Sequence, residues 1–170
     1  LRLIPRSIRN GRYDMWLPAQ GALNFGTGFT SPDSASTFTI PSAAAKAVTV
    51  GAYDAGTGSA APFSGRGYIV EIGGSLMVKP ELAAPGVNVL VPSVSGMARV
   101  SGTSYATPFV TGSAALLMEW GIVRGNDAFL YGEKLKAYLI KGAEPLAGAA
   151  VPDTQTGWGR LCLKNSLPQA

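Results

Sequence analysis

Hydrophobic and polar positions change their spacing several times along this chain, and each change marks an element. Gly11-Arg12-Tyr13-Asp14-Met15-Trp16-Leu17 alternates in the manner of one strand. Residues 23–42 are rich in Gly, Ser, Thr and Pro and read as loops. Ala47-Val48-Thr49-Val50-Gly51-Ala52 is a short apolar run with β-branched residues, which predicts a strand buried on both faces of a parallel sheet. A turn-rich stretch over 54–67 separates it from a further strand at Tyr68–Ile72. Lys79–Gly86 contains Pro80 and Pro85 and suits an edge strand or a strand end. Val87–Val94 and Met97–Ser101 read as two strands around a turn at Ser95-Gly96.

Two stretches are helical in pattern. Pro108–Glu119 is apolar nearly all round, so it predicts a buried helix. Pro108 falls in its first turn, where a missing N–H does no harm. Asn126–Lys141 carries a stripe of Leu135, Tyr138 and Leu139, led in by Phe129 and Leu130 and stopped by Gly142. Gly157-Trp158-Gly159-Arg160-Leu161 reads as a tight turn into a short extended segment. Gly, Ser or a charge interrupts every apolar stretch well short of 18 residues, so no membrane-spanning helix is expected and no membrane partner.

Composition narrows the picture. The 170 residues suffice for one domain, which at this size buries roughly 70% of its unfolded surface. Apolar residues make up 46% and charged residues 14%, which excludes a disordered segment. The net charge is +4, and Arg2, Arg6, Arg9 and Arg12 concentrate it at the start. No exposed aromatics interleave with them and no nucleic-acid module follows, so they read as solvated side chains and not as a nucleic-acid site. The single cysteine, Cys162, excludes an intrachain disulfide and reads as a small core residue. The chain starts Leu1-Arg2-Leu3, without an initiator Met or a signal peptide, and reads as a piece of something longer.

Ser101-Gly102-Thr103-Ser104-Tyr105-Ala106-Thr107-Pro108 is where chemistry concentrates. Gly102 and Thr103 supply a tight turn that projects the Ser104 hydroxyl. A helix beginning at Ser104 aims its N-terminal N–H groups at any negative charge that develops there. Small Ala106 allows close packing beneath. The plainer alternative is that Ser104 is a helix N-cap, a common role for serine.

The stretch resembles the G-T-S-x-A-x-P signature around the nucleophile of subtilisin-like serine proteases, matching its five fixed positions. Other segments resemble the same family in the right order. Ala47–Ala52 is similar to its V-x-V-G-A strand, and Phe63-Ser64-Gly65-Arg66-Gly67 to its F-S-x-x-G turn. Lys79–Gly86 is similar to K-P-E-L-x-A-P-G, and Gly157-Trp158-Gly159 to the G-x-G turn near the domain's end. The likeness covers residues 38–166. It implies an α/β fold: the C-terminal portion of a subtilisin-like three-layer domain with a mostly parallel sheet. Trp16-Leu17-Pro18, Trp120-Gly121-Ile122-Val123 and Leu130–Leu139 resemble the Csp germination proteases of clostridia, in which a jelly-roll domain is inserted ahead of the last segment. That likeness implies a return segment at 1–22, the end of an inserted β domain, and the catalytic portion at 23–170. It also implies a bacterial secreted, spore or envelope setting.

The resemblance makes Ser104 the nucleophile of a serine endopeptidase, with Gly102, Thr103 and Ser101 in the vicinity of the oxyanion or substrate. Its partners would be a protein or peptide substrate and an N-terminal segment of the same protease. The resemblance also implies that the base, the acidic residue and the oxyanion asparagine lie in that segment; the chain itself has no histidine. Asp14 and Asp54 fit no acidic motif of the family and read as surface or turn residues. Asn24 lacks the A-G-N context. Lys46 or Lys79 as a substitute base finds no support in spacing; both read as solvated strand ends. No acidic cluster has calcium-ligand spacing, so no cofactor is identified, although subtilases often bind calcium. The alternative within the same fold is a non-catalytic pseudoprotease or scaffold that works by binding.

Overall fold

The computed structural model describes residues 4, 6–11, 13–18, 20–38 and 40–168. They form two units, Leu1–Pro32 and Asp33–Ala170. In the first, Gln20–Ala22 makes a single 3-10 turn and the Thr27 N–H donates to the Asn24 carbonyl over 3.1 Å. Tyr13–Pro18 is exposed and forms no strand, contrary to its alternation. Alternation predicts which face a strand would bury; the strand itself needs a partner ladder, and none lies beside these residues among those described. Arg6 and Arg9 are exposed, while Arg2 and Arg12 lie outside the described residues.

The second unit is built on a small mixed sheet. Strand β1 (Val50–Asp54) runs parallel to β5 (Leu82–Pro85), with Val50 opposite Leu82 and Tyr53 opposite Pro85. The short β2 (Ser59–Ala60) folds back antiparallel on the end of β1. Lys79–Gly86 does not end as a free edge. The Ala83 N–H donates to the Gly159 carbonyl and the Leu161 N–H donates to the Ala83 carbonyl, both over 2.8 Å. The extended 159–161 segment therefore flanks β5 opposite β1; Pro80 lies between β4 and β5 and Pro85 ends β5, where a missing N–H is tolerated. Two separate hairpins complete the strands: β3 (Tyr68–Ile72) with β4 (Ser75–Lys79), and β6 (Val89–Ser93) with β7 (Gly96–Val100).

Helix α1 (Thr103–Met118) continues through a π-helical turn, Glu119–Val123. Ala106, Val110 and Leu117 pack with Ala52, Leu82 and Ala84 of the sheet and with Leu130 and Leu139. Tyr53, Ala83 and Leu146 form a second, smaller cluster. The whole run Thr103–Val123 is long and apolar enough to cross a membrane by length and composition, which the expectation from sequence missed because it stopped at each Gly and Ser. Its inner face belongs to the core of the second unit. Burial is one-sided: Tyr105, Phe109, Leu116 and Met118 are exposed, so the all-round burial expected of this helix does not hold within the chain.

Helix α2 (Gly132–Gly142) starts six residues later than its sequence pattern suggests. Asp127 explains the delay. Its carboxylate accepts the Phe129 N–H (3.3 Å) and pairs with Lys134 Nζ (2.6 Å), while its carbonyl accepts the Leu130 N–H (3.2 Å). An aspartate that satisfies nearby backbone groups competes with the helix and holds the segment as a turn. Lys134 beside it holds its carboxyl below the ordinary carboxylate value.

A third helix, α3 (Leu163–Ser166), is tied to the 159–161 segment through Glu144. Its carboxylate accepts Arg160 Nη2 at 2.8 Å and Asn165 Nδ2 at 2.7 Å. The Cys162 thiol is half-buried beside the same carboxylate instead of in the apolar core. Arg160, above all, pulls the Glu144 carboxyl below its ordinary 4.5. A depressed carboxylate adds stability above the unfolded-state pKa and loses it as pH falls through the folded-state value. Glu144→Gln should therefore be less stable than wild type at neutral pH, with the gap closing below pH 4.5. Denaturant titrations of the two proteins at several pH values check this, and a gap that is constant with pH would contradict it.

Candidate active site

The nucleophile turn is held from behind by the sheet. β5 ends at Pro85, and Gly86 donates its N–H to the Tyr53 carbonyl (3.0 Å) while its own carbonyl accepts the Gly102 N–H (2.8 Å). A Cβ on Gly86 would lie 2.6 Å from the Ala52 Cβ and 3.0 Å from the Gly102 carbonyl oxygen. Only a residue without a side chain lets β1, β5 and the start of α1 approach this closely. Gly86→Ala should destabilise the fold by about 1–3 kcal/mol, the usual range for overpacking. A shift in the denaturant midpoint reads this out, and an unchanged midpoint would refute the close fit.

Gly102 stands at φ 153°, ψ 155° as the N-cap of α1, a conformation that L side chains rarely adopt. No side chain caps the helix. Thr103 is the first helical residue, and its carbonyl accepts the Thr107 hydroxyl (3.0 Å). Ser104 is the second helical residue and is exposed, so the N-cap role weighed for it falls to Gly102 instead. Among the described residues none hydrogen-bonds the Ser104 hydroxyl. The Tyr105 N–H is used by the Gly102 carbonyl at 3.1 Å. The Ser104 N–H sits in the first turn, where no intrahelical acceptor exists for it.

Pro108 lies inside α1 and not in its first turn, because the helix starts at Thr103. It has no N–H to offer the Ser104 carbonyl one turn back, so the helix is weakest directly behind the serine. Ser101 is exposed, and its hydroxyl accepts the Asn88 N–H over 2.9 Å. The structure thus brings Ser101, Gly102, Thr103 and Ser104 together at one end of α1, facing the turn after β5.

Other motif segments serve this frame. The Ser64 hydroxyl accepts the Ala52 N–H at 3.0 Å and so closes the outer edge of β1 beyond the reach of β2. Asp54 accepts the Gly56 N–H (2.8 Å) as a turn residue. Lys46 is solvated, but Lys79 is fully buried. Its Nζ donates to Glu81 Oε1 (2.8 Å), to the Ala47 carbonyl (2.7 Å) and to Thr49 Oγ1 (3.1 Å). The reading of Lys79 as a solvated strand end is therefore wrong. Its acidic partner stands two residues on, and the lead into β1 supplies its remaining acceptors. Burial, the largest influence, holds the Lys79 ammonium below the ordinary lysine value. Among the described residues no group of three or more His, Cys, Asp or Glu side chains could hold a metal ion.

The Subtilase family model matches residues 14–159. The CspB protease of Clostridium perfringens superposes with a TM-score of 0.73 at 44% identity, covering 82% of this chain and 30% of that one. The self-cleaved protease domain of PatA superposes with a TM-score of 0.57 at 30% identity, covering 75% of this chain and 42% of that one. The PII-type proteinase of Lactococcus lactis subsp. cremoris is 38% identical over 67 residues, which is 39% of this chain and 4% of that protein. The chain thus spans less than half the length of each of these proteins. The glycine-framed serine turn, the parallel β1–β5 pair behind it and the family match over most of the length agree, and the chain belongs to the subtilase family of serine proteases.

Proposed function

We propose that this chain is the C-terminal portion of a serine endopeptidase domain and that Ser104 is its nucleophile. The observation that carries the reading is the placement of Ser104: exposed, second in α1, uncommitted to capping, and presented by a turn that only glycines allow. In the proposed reaction Ser104 Oγ attacks the substrate carbonyl and passes its proton to a histidine. The negative oxygen of the tetrahedral intermediate is stabilised by the Ser104 N–H at the positive end of α1. Collapse expels the amine, which takes the proton from the histidine. Water then releases the acyl group from Ser104.

The histidine, its aspartate and a second oxyanion donor belong to an upstream segment of the same protease. The uncovered apolar side of α1, with Tyr105, Phe109 and Leu116, supports a large surface packing there. Residues 1–22 are read as the return from an inserted β domain and 23–170 as the catalytic portion. Substrates are proteins or peptides. The test is a fluorophosphonate probe on the protease carrying its upstream segment, followed by peptide mass analysis. The expected result is one adduct on the peptide containing Ser104. A folded protein without that adduct would overturn the catalytic reading and leave a binding scaffold.

A further inference from the structure

Three hydrogen bonds fasten the 86–88 turn to the strand that delivers the serine. The Gly102 N–H donates to the Gly86 carbonyl (2.8 Å), the Asn88 N–H donates to the Ser101 hydroxyl (2.9 Å), and Arg99 Nη1 donates to the Asn88 carbonyl (3.1 Å). Asn88 stands between them at φ 52°, in the left-handed region that non-glycine residues seldom occupy. β7 thus reaches Ser104 only after being pinned twice to one residue of the turn that ends β5.

We infer that Ser101 is a positioning residue for the reaction, acting through Asn88, and that Arg99 assists it. This rests on the reading of Ser104 as the nucleophile. The Ser101 hydroxyl is spent on the Asn88 N–H, so its contribution is to fix where the turn at Gly102 begins. Gly102 carries no side chain that could hold its own conformation, and hairpin β6–β7 is a two-stranded sheet of its own, joined by its ladder to neither β1 nor β5 among the described residues. Without the clamp, the chain between Val100, still paired with Val89, and Gly102, still held by the Gly86 carbonyl, is free to shift, and with it the Ser104 hydroxyl and its N–H. Asn88, Arg99 and Ser101 are all exposed, so water can satisfy the groups that a truncation frees. The fold therefore loses little stability, while the aim of the nucleophile suffers. Misplacement of a reacting group by about 1 Å can cost on the order of a hundredfold in rate.

The experiment uses the protease with its upstream segment and compares wild type, Ser101→Ala, Ser101→Thr and Arg99→Ala. Ser101→Ala should lower kcat and the fluorophosphonate labelling rate about tenfold, with KM within about twofold and the unfolding midpoint nearly unchanged. Ser101→Thr keeps the hydroxyl and should restore most of the rate. Arg99→Ala should give a smaller loss of the same kind. The inference is overturned if Ser101→Ala keeps its kcat, if the loss falls on KM as for a substrate contact, or if threonine does not rescue. An unlabelled wild type would instead overturn the nucleophile reading, and this inference with it.

Discussion

Ser104→Ala should lower peptide hydrolysis on the order of 10⁶-fold, the scale set by removal of a triad serine. The magnitude follows from what the side chain is asked to do. On the proposed reading its oxygen forms the covalent bond of the acyl-enzyme once the upstream segment is present, and among the described residues no other hydroxyl at this end of α1 is placed to replace it. Thr103 precedes it in the helix, and the Ser101 hydroxyl is already engaged by Asn88. Stability should barely change, because Ser104 is exposed, caps nothing, and alanine is a better helix former. Loss of turnover with an unchanged or slightly raised unfolding midpoint is thus the expected pair of results. Activity retained within tenfold would remove Ser104 from the reaction. Loss of activity with a collapsed midpoint would mean a structural serine.

How much of this was legible in the sequence depends on the range of the interactions. β3 appears with the bounds its pattern implies, Tyr68–Ile72, because its own five consecutive residues specify it, although its partner β4, Ser75–Lys79, is not among the strands expected. The serine turn was legible for the same reason: Gly102, Thr103 and Ser104 are consecutive, and the backbone demand met by Gly102 is local too. The start of α2 was not, since apolar spacing runs back through Phe129 and Leu130 while the Asp127 side chain holds those residues as a turn. Nor was the one-sided burial of α1. Its sequence is apolar nearly all round, and within this chain only one face is covered. Lys79 and Glu81 look like ordinary strand-end charges until Lys136, far along the chain, is brought beside them.

That buried cluster carries the largest stability effect expected of a single substitution away from the serine. Glu81 Oε1 receives both Lys79 and Lys136, and Oε2 accepts the Thr49 N–H at 2.7 Å. Lys136 also donates to the carbonyls of Ala45 (2.8 Å) and Ala47 (3.3 Å), so one carboxylate joins α2, the lead into β1 and the start of β5. Glu81→Ala leaves Lys79 as an unpaired charge with no exposed surface, and should destabilise by about 3–5 kcal/mol. Lys136 is partly exposed and can turn toward water, so Lys136→Ala should cost much less. The pair Lys79→Met with Glu81→Leu removes charge and countercharge together and should recover most of the loss, since an apolar replacement of a buried pair is often neutral. The sign of the pH dependence gives an independent check. Burial already holds Lys79 below its ordinary 10.5, and removal of Glu81 takes away the influence that opposes it. Between the depressed folded-state value and 10.5 the unfolded chain binds more protons, so stability rises with pH. The deficit of Glu81→Ala should therefore shrink as alkaline pH is approached, while the doubly substituted protein shows no such recovery. Denaturant unfolding of the four proteins across pH measures both, and a Glu81→Ala loss below about 1 kcal/mol would show that the cluster is not needed to hold these elements together.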